Sequence, residues 1–245
     1  MNRNTDQTQI KALTLEGLTT QAGPADSLLI DIGTTTIALA LVCQKTASLV
    51  ATASFANPQR SFGADVISRV QAQLQGHGEE LTQLLRTGLL DHTRALCKQA
   101  GISPSSLKDT YIAGNTCMIH SLLGYDMTPL SASPFRLKEE NPEDFDWEDG
   151  DFHTRVKILP WLSTFIGGDI TAGLLACDLE THQNALFLDL GTNGEMVLKK
   201  GEDYYMCSTA AGPAFEGNGL TCGLPAIPGA ISKVRLRPLG AQTET

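Results

Sequence analysis

The 245-residue chain contains no apolar run approaching the ~18 residues that a membrane-spanning helix requires. Its first residues, MNRNTDQTQ, lack the apolar stretch of a secretory signal. There is no surplus of positive charge either. With 18 basic against 27 acidic residues the formal net charge is −9, the opposite of a nucleic-acid footprint. The six cysteines (Cys43, Cys97, Cys117, Cys177, Cys207 and Cys222) include no CxxC pair. That absence argues against the paired spacing of zinc and iron–sulfur sites. Without an export signal, a disulfide framework is not expected, and the thiols read as mostly buried groups in a reducing cytoplasm. What is present is enough for a folded core. Hydrophobic residues make up 42% and charged residues 18% of a length that suits one large domain or two lobes.

The negative charge is concentrated. The segment 139–152 (EENPEDFDWEDGDF) holds eight acidic residues and no basic one, and the rest of the chain is close to neutral. It reads as a solvated acidic loop, or as a docking patch for a basic partner anchored by Phe145, Trp147 and Phe152.

Periodicity places the remaining elements. Residues 1–27 are polar and turn-rich, a flexible leader. LLIDIGTTTIALALV (28–42) reads as strand, tight turn, strand, and SLVATASFA (48–56) as a third strand. Helices are predicted over about 64–74 and 79–100, the latter closed by Gly101. A short strand at 110–113 precedes a helix at 115–123, and another helix starts at Asp169. Residues 185–209 read as a strand hairpin, and the tail 235–245 as irregular. This alternation predicts an α/β protein with mixed rather than purely parallel sheets.

An internal repeat carries most of the functional information. LIDIGTTTIALALV (29–42) aligns without a gap with FLDLGTNGEMVLKK (187–200), so that Asp31 matches Asp189, Gly33 matches Gly191 and Thr34 matches Thr192. Glycine allows a tight turn and close approach of a ligand, and successive turn N–H groups form an anion nest. Thr34, Thr35, Thr36, Thr192 and the Asn193 amide add polar donors, and Gly194 closes the second turn. A carboxylate at each strand end can hold a hydrated Mg²⁺. Two ordinary hairpins remain the plainer alternative for either copy taken singly.

Three further places join the candidate set. Asp169, in GGDITAGLLA, is either a helix cap or a carboxylate that orients or deprotonates a water. Asn115, in AGNT, is either a cap or a site residue. The small-residue loop STAAGPAFEG, with Gly212, can lie beside phosphates.

DIGTTT and DLGTNGE resemble the two phosphate loops of the actin, sugar kinase and heat-shock chaperone ATPase superfamily. More narrowly, NPQRSFGADVISRV (57–70), AGNTCMIHSLLG (113–124), FIGGDITAGLLA (165–176) and STAAGPAFEG (208–217) resemble the ATPase domain of reductive activators of corrinoid proteins, in the same order along the chain. The resemblance implies a ribonuclease-H-like, actin-type fold with duplicated lobes. It implies a first lobe over 28–184 and a partial second lobe over 185–234. It also implies ATP and Mg²⁺ as cofactors. Asp31 and Asp189 would sit at the metal, Gly33–Thr36, Asn115, Gly191–Gly194 and Gly212 at the nucleotide, and Asp169 would be catalytic. The implied activity is ATP-coupled return of a Co(II) corrinoid to Co(I) on a protein of a methyltransferase system.

Two departures from the family pattern qualify the expectation. No cysteine precedes Cys43, so no iron–sulfur cluster is expected in this chain and the electron donor is external. The second lobe is short, which leaves two alternatives: a small-molecule kinase of the same superfamily, or a truncated, non-catalytic nucleotide- or partner-binding module. No nucleic acid or membrane partner is expected, and a homodimer is an allowed assembly.

Overall fold

The computed structural model describes residues 24–137, 140–210, 233–237 and 240–244. The first three strands, β1 (Ser27–Ile32), β2 (Thr36–Cys43) and β3 (Ser48–Ala56), form an antiparallel meander. Their alternation is the reason. Leu28, Ile30 and Ile32 of β1, and Ile37, Leu39 and Leu41 of β2, are buried on one face. Helix α1 (Val66–Ala72) follows, then a single π-helical turn, Gln73–His77, with Gly76 at φ 96°, and then α2 (Gly78–Ala100). The apolar stripe of α2, Leu81, Leu85, Leu89 and Leu96, is at most 1% exposed and covers the sheet. Gly101 ends the helix in the left-handed conformation, its N–H donating to the carbonyls of Cys97 and Lys98.

Strand β4 (Asp109–Gly114) lies parallel to β1, Asp31 beside Ala113 and Ile32 beside Gly114. Helix α3 (Thr116–Leu123) leaves β4 directly, capped by the Asn115 side chain. Strands β5 (Phe145–Asp149) and β6 (Phe152–Ile158) complete a six-stranded mixed sheet of order β3-β2-β1-β4-β6-β5, in which β6 runs parallel to β4. Helix α4 (Gly168–Ala176) packs on β4. Strands β7 (Asn184–Leu190), β8 (Asn193–Lys200) and β9 (Asp203–Ala210) then form a second antiparallel meander. Ile166, Ile170, Leu179 and Val197 form a second small core between α4 and this sheet, and Phe187 packs against it. The chain is thus an α/β protein with one mixed six-stranded sheet flanked by helices and a second meander that repeats the first.

Several expectations change. The acidic segment 139–152 is not a loop throughout. Its second half is β5 and the first residue of β6, an edge hairpin. Phe152 is a core residue at 2% exposure, and Trp147 lies edge-on to it at 5.8 Å, so these rings are engaged internally. Much of the acidity is internally paired: Asp146 with Arg155, Glu148 with His153, and Asp149 and Asp151 with Arg94. Charges of this kind keep an edge strand from pairing with another sheet.

The tail read as irregular carries β10 (Lys233–Arg237) and β11 (Gly240–Glu244), an antiparallel pair. Most of the leader, residues 1–23, lies outside the described residues. Its end does not read as flexible, because Ala25 and Ser27 are buried. Of the cysteines, Cys97 and Cys117 are buried, Cys43 and Cys177 are half-buried, Cys207 is exposed, and Cys222 lies outside the described residues. Among the described residues no helix is long and apolar enough to cross a membrane.

Candidate functional site

The parallel strands β1 and β4 end side by side, and the start of α4 is laid across their ends. This closeness requires glycine. A Cβ on Gly114 would meet the Ile32 carbonyl at 2.9 Å, and one on Gly167 would run into the Gly114 carbonyl and the Asn115 backbone. The same contacts bring Asp169, in the first turn of α4, towards the end of β1. The cap position of that helix is Gly167, so Asp169 is not the N-cap; its carboxylate accepts from the Ile170 N–H at 2.9 Å.

The two turns of the sequence repeat face one another. The hydroxyls of Thr35 and Thr192, 157 positions apart, meet at 3.3 Å. Thr34 is buried, and its hydroxyl accepts from Asn115 Nδ2 at 2.9 Å, while Asn115 Oδ1 accepts from the Met118 N–H at 3.0 Å. Both ends of the Asn115 side chain are therefore engaged, one capping α3 and the other bracing the first turn. A Cβ on Gly33 would collide with the Thr36 carbonyl. Thr36 begins β2, opposite Ala56. In the second turn the Gly191 N–H donates to the Asn193 carbonyl at 3.0 Å, and Gly194 pairs with Leu190. Gly212 lies outside the described residues.

The repeat does not run without a gap in three dimensions. Asp31 pairs with Ala38, whereas Asp189 pairs with Glu195, so the second turn is one residue shorter. Glu195 thereby stands directly across the ladder from Asp189, on the same face of the sheet. It is 7% exposed, and its Oε1 accepts from the Ser208 hydroxyl at 3.2 Å. Taken as a phosphate turn, the motif DLGTNGE assigns no role to this residue. Its signal was a carboxylate inside an otherwise small, polar turn motif.

The electrostatics are those of an acidic cleft. Desolvation and then repulsion from Asp189 hold the Asp31 carboxyl above the usual carboxylate range, although water still reaches its side chain. Desolvation also raises Asp189. Asp169 is pushed up to about 6, by desolvation first and by Asp31 and Asp189 after it, against the Ile170 N–H bond that favours the charged form. Glu195 is pushed up to about 7 by desolvation, with Asp169 and Asp189 adding to it and the Ser208 bond opposing. A bound cation would relieve the repulsion among these carboxyl groups. Among the described residues no three acidic, His or Cys groups converge closely enough to ligate a metal directly. Asp31 and Asp189 are carboxylates of the kind that Mg²⁺ touches, one or two at a time, while keeping most of its water shell. Beside Asn115 and Asn193 a cavity of about 420 Å³ opens, walled by Val70, Phe135 and Phe165.

Residues 27–182 match the family model described as the RACo middle region. Residues 183–245 match that of the C-terminal domain of RACo, the ASKHA domain. The corrinoid activation enzyme RamQ of Eubacterium limosum is 33% identical over 219 residues, covering 86% of this chain and 36% of that protein. The [Co(II) methylated amine-specific corrinoid protein] reductase of Methanosarcina barkeri is 44% identical over 81 residues, 33% of this chain and 15% of that protein. Among solved structures, a reductive activator for corrinoid, iron–sulfur protein superposes with a TM-score of 0.80 at 32% identity, covering 89% of this chain and 36% of that one. The chain thus spans about a third of the length of the relatives it matches over most of its own length.

Proposed function

Because the chain belongs to the RACo family, we propose that it binds Mg-ATP between its two turns and supports the reductive activation of a corrinoid protein. The observation that carries this reading is the Thr35–Thr192 contact, which sets the two turns face to face above a cluster of mutually repelling carboxylates. In this reading the N–H groups and hydroxyls of Gly33–Thr36 and Gly191–Gly194 bind phosphate oxygens. Asp31 and Asp189 hold the waters of Mg²⁺. Asp169, whose proton affinity lies close to neutrality, orients a water and takes its proton. ATP when bound supplies the free energy that drives a one-electron transfer uphill. The electron comes from a low-potential donor and passes to Co(II), leaving Co(I). Glu195 joins the site as a second carboxyl that holds a proton near neutral pH.

The test has two stages. Thermal unfolding with and without Mg-ATP should show ligand stabilisation of about 2.7 kcal/mol at a concentration near 100 times Kd. The chain is then mixed with a Co(II) corrinoid protein and a titanium(III) reductant, and the Co(II) paramagnetic signal is followed. The expected result is loss of that signal only when chain and ATP are both present. Signal loss that ignores ATP, or a well-folded chain with no nucleotide shift, would sink the proposal.

A further inference from the structure

The segment NPQRSFGADVISRV contains three polar side chains, Asn57, Gln59 and Arg69, that are each at most 1% exposed, yet it belongs to neither turn. Its hydrogen bonds converge on the first one. Asn57 Nδ2 donates to the Gly33 carbonyl at 2.9 Å, and the Asn57 backbone N–H donates to the Thr35 carbonyl at 2.9 Å. Between them, Arg69 Nη2 donates to the Thr34 carbonyl. Three consecutive carbonyls are therefore held from behind. In a trans peptide the C=O and the following N–H point in opposite directions. The N–H groups of Thr34 and Thr35 are thereby turned away from the segment, the arrangement of an anion nest.

Among the described residues the Arg69 charge has no ion-pair partner. No carboxylate among the described residues lies within ion-pair distance of it. Asp65, whose charge reaches it, is engaged in capping α1, accepting from the Ser68 N–H at 2.7 Å and the Ser68 hydroxyl at 2.8 Å. The remaining partners of the guanidinium are neutral: Gln59 Oε1 and Met118 Sδ at 3.2 Å, and the Gly63 carbonyl at 3.3 Å. Desolvation lowers its pKa to about 10, which still leaves it charged at neutral pH. A buried, unpaired charge is costly for a fold to keep.

We propose that Arg69 is the positioning residue of the first turn. It holds the Thr34 carbonyl so that the turn presents its N–H groups to a polyphosphate, whose negative charge complements the buried guanidinium. The proposal rests on the reading that the turns bind a polyphosphate.

The experiment titrates the whole chain with Mg-tripolyphosphate, by calorimetry and by thermal shift, in wild type, Arg69→Lys, Arg69→Met and Gln59→Glu. A unit charge about 10 Å from a phosphate, at an effective dielectric of about 20, changes a binding constant on the order of tenfold. Arg69→Met should therefore lose about tenfold in affinity, and Arg69→Lys should restore most of it. Gln59→Glu places a carboxylate against Nη1 without removing the guanidinium. It remains informative if Arg69→Met fails to fold, and it too should lose about tenfold; because the carboxylate also replaces the Nε2 donor to the Leu81 carbonyl and the Ser121 hydroxyl, its affinity is compared at a temperature where circular dichroism shows it folded. A purely structural role predicts instead that Gln59→Glu binds as wild type does. Unchanged affinity in Gln59→Glu, or equal losses in Arg69→Lys and Arg69→Met, overturns the proposal but leaves the polyphosphate site standing. A wild-type chain that binds no tripolyphosphate overturns both.

Discussion

Replacing Glu195 by glutamine is the perturbation whose size follows most directly from the structure. The side chain is 7% exposed, faces Asp189 across the β7–β8 ladder and accepts one hydrogen bond, from Ser208, which an amide oxygen can still accept. Its carboxyl is raised from 4.5 to about 7 by desolvation, with repulsion from Asp169 and Asp189 adding to it. The sign follows from proton binding. Below pH 4.5 both folded and unfolded chains hold the proton, and the group costs nothing. Between 4.5 and 7 the unfolded chain has released it and the folded chain has not, so the penalty on folding grows with pH. Above 7 it is constant. At ~1.4 kcal/mol per pH unit the ceiling is about 3 kcal/mol, and relaxation of the cleft brings the expected value to about 2 kcal/mol. For a chain of this size, about 2–4 °C accompany each kcal/mol, so Glu195→Gln should unfold about 4–8 °C higher than wild type at pH 8. The gap should close as the pH approaches 4.5. Circular dichroism melts at several pH values, without divalent cations, measure it. A glutamine variant less stable at pH 8, or a gap that does not change with pH, would refute the account of the carboxylate cluster.

Asp189→Asn should lose the Mg-ATP thermal shift while the ligand-free chain melts no lower than wild type, because a repelling charge has been removed; differential scanning fluorimetry reads both. Gly33→Ala forces a methyl group into the Thr36 carbonyl, which should cost about 1–3 kcal/mol in a denaturant titration and lower phosphate affinity. Gly167→Ala pushes the start of α4 off the Gly114 carbonyl and carries Asp169 with it, so ATP turnover should fall by more than the loss of stability accounts for. The Cys117 thiol, buried and pushed up to about 12, should resist iodoacetamide at pH 8, whereas exposed Cys207 reacts, as peptide mass spectrometry will show.

The α/β class, the first meander and the main helices were legible because their signals are local. Alternation marks β1 and β2, a leucine stripe marks α2, and Gly101 and Asn115 mark helix ends. The twin turns were legible because their residues recur. What was missed depends on partners far along the chain. β5 is polar and short, and becomes a strand only because β6 offers it an edge. β10 (KVRLR) alternates over only five residues and β11 has no apolar alternation, so the two read as strands only once they pair.

The sequence by itself determined which residues could make a phosphate turn, because glycine, threonine and a strand-end aspartate have those properties in any surroundings. Only the tertiary structure decided three other things. It shortened the second turn by one residue, which set Glu195 opposite Asp189. It brought Thr35 within reach of Thr192. It placed Arg69 behind the Thr34 carbonyl with no ion-pair partner among the described residues. Each is a relation between distant positions. Desolvation and repulsion, which set the proton affinities of the cleft, arise only when the packed chain brings such groups together.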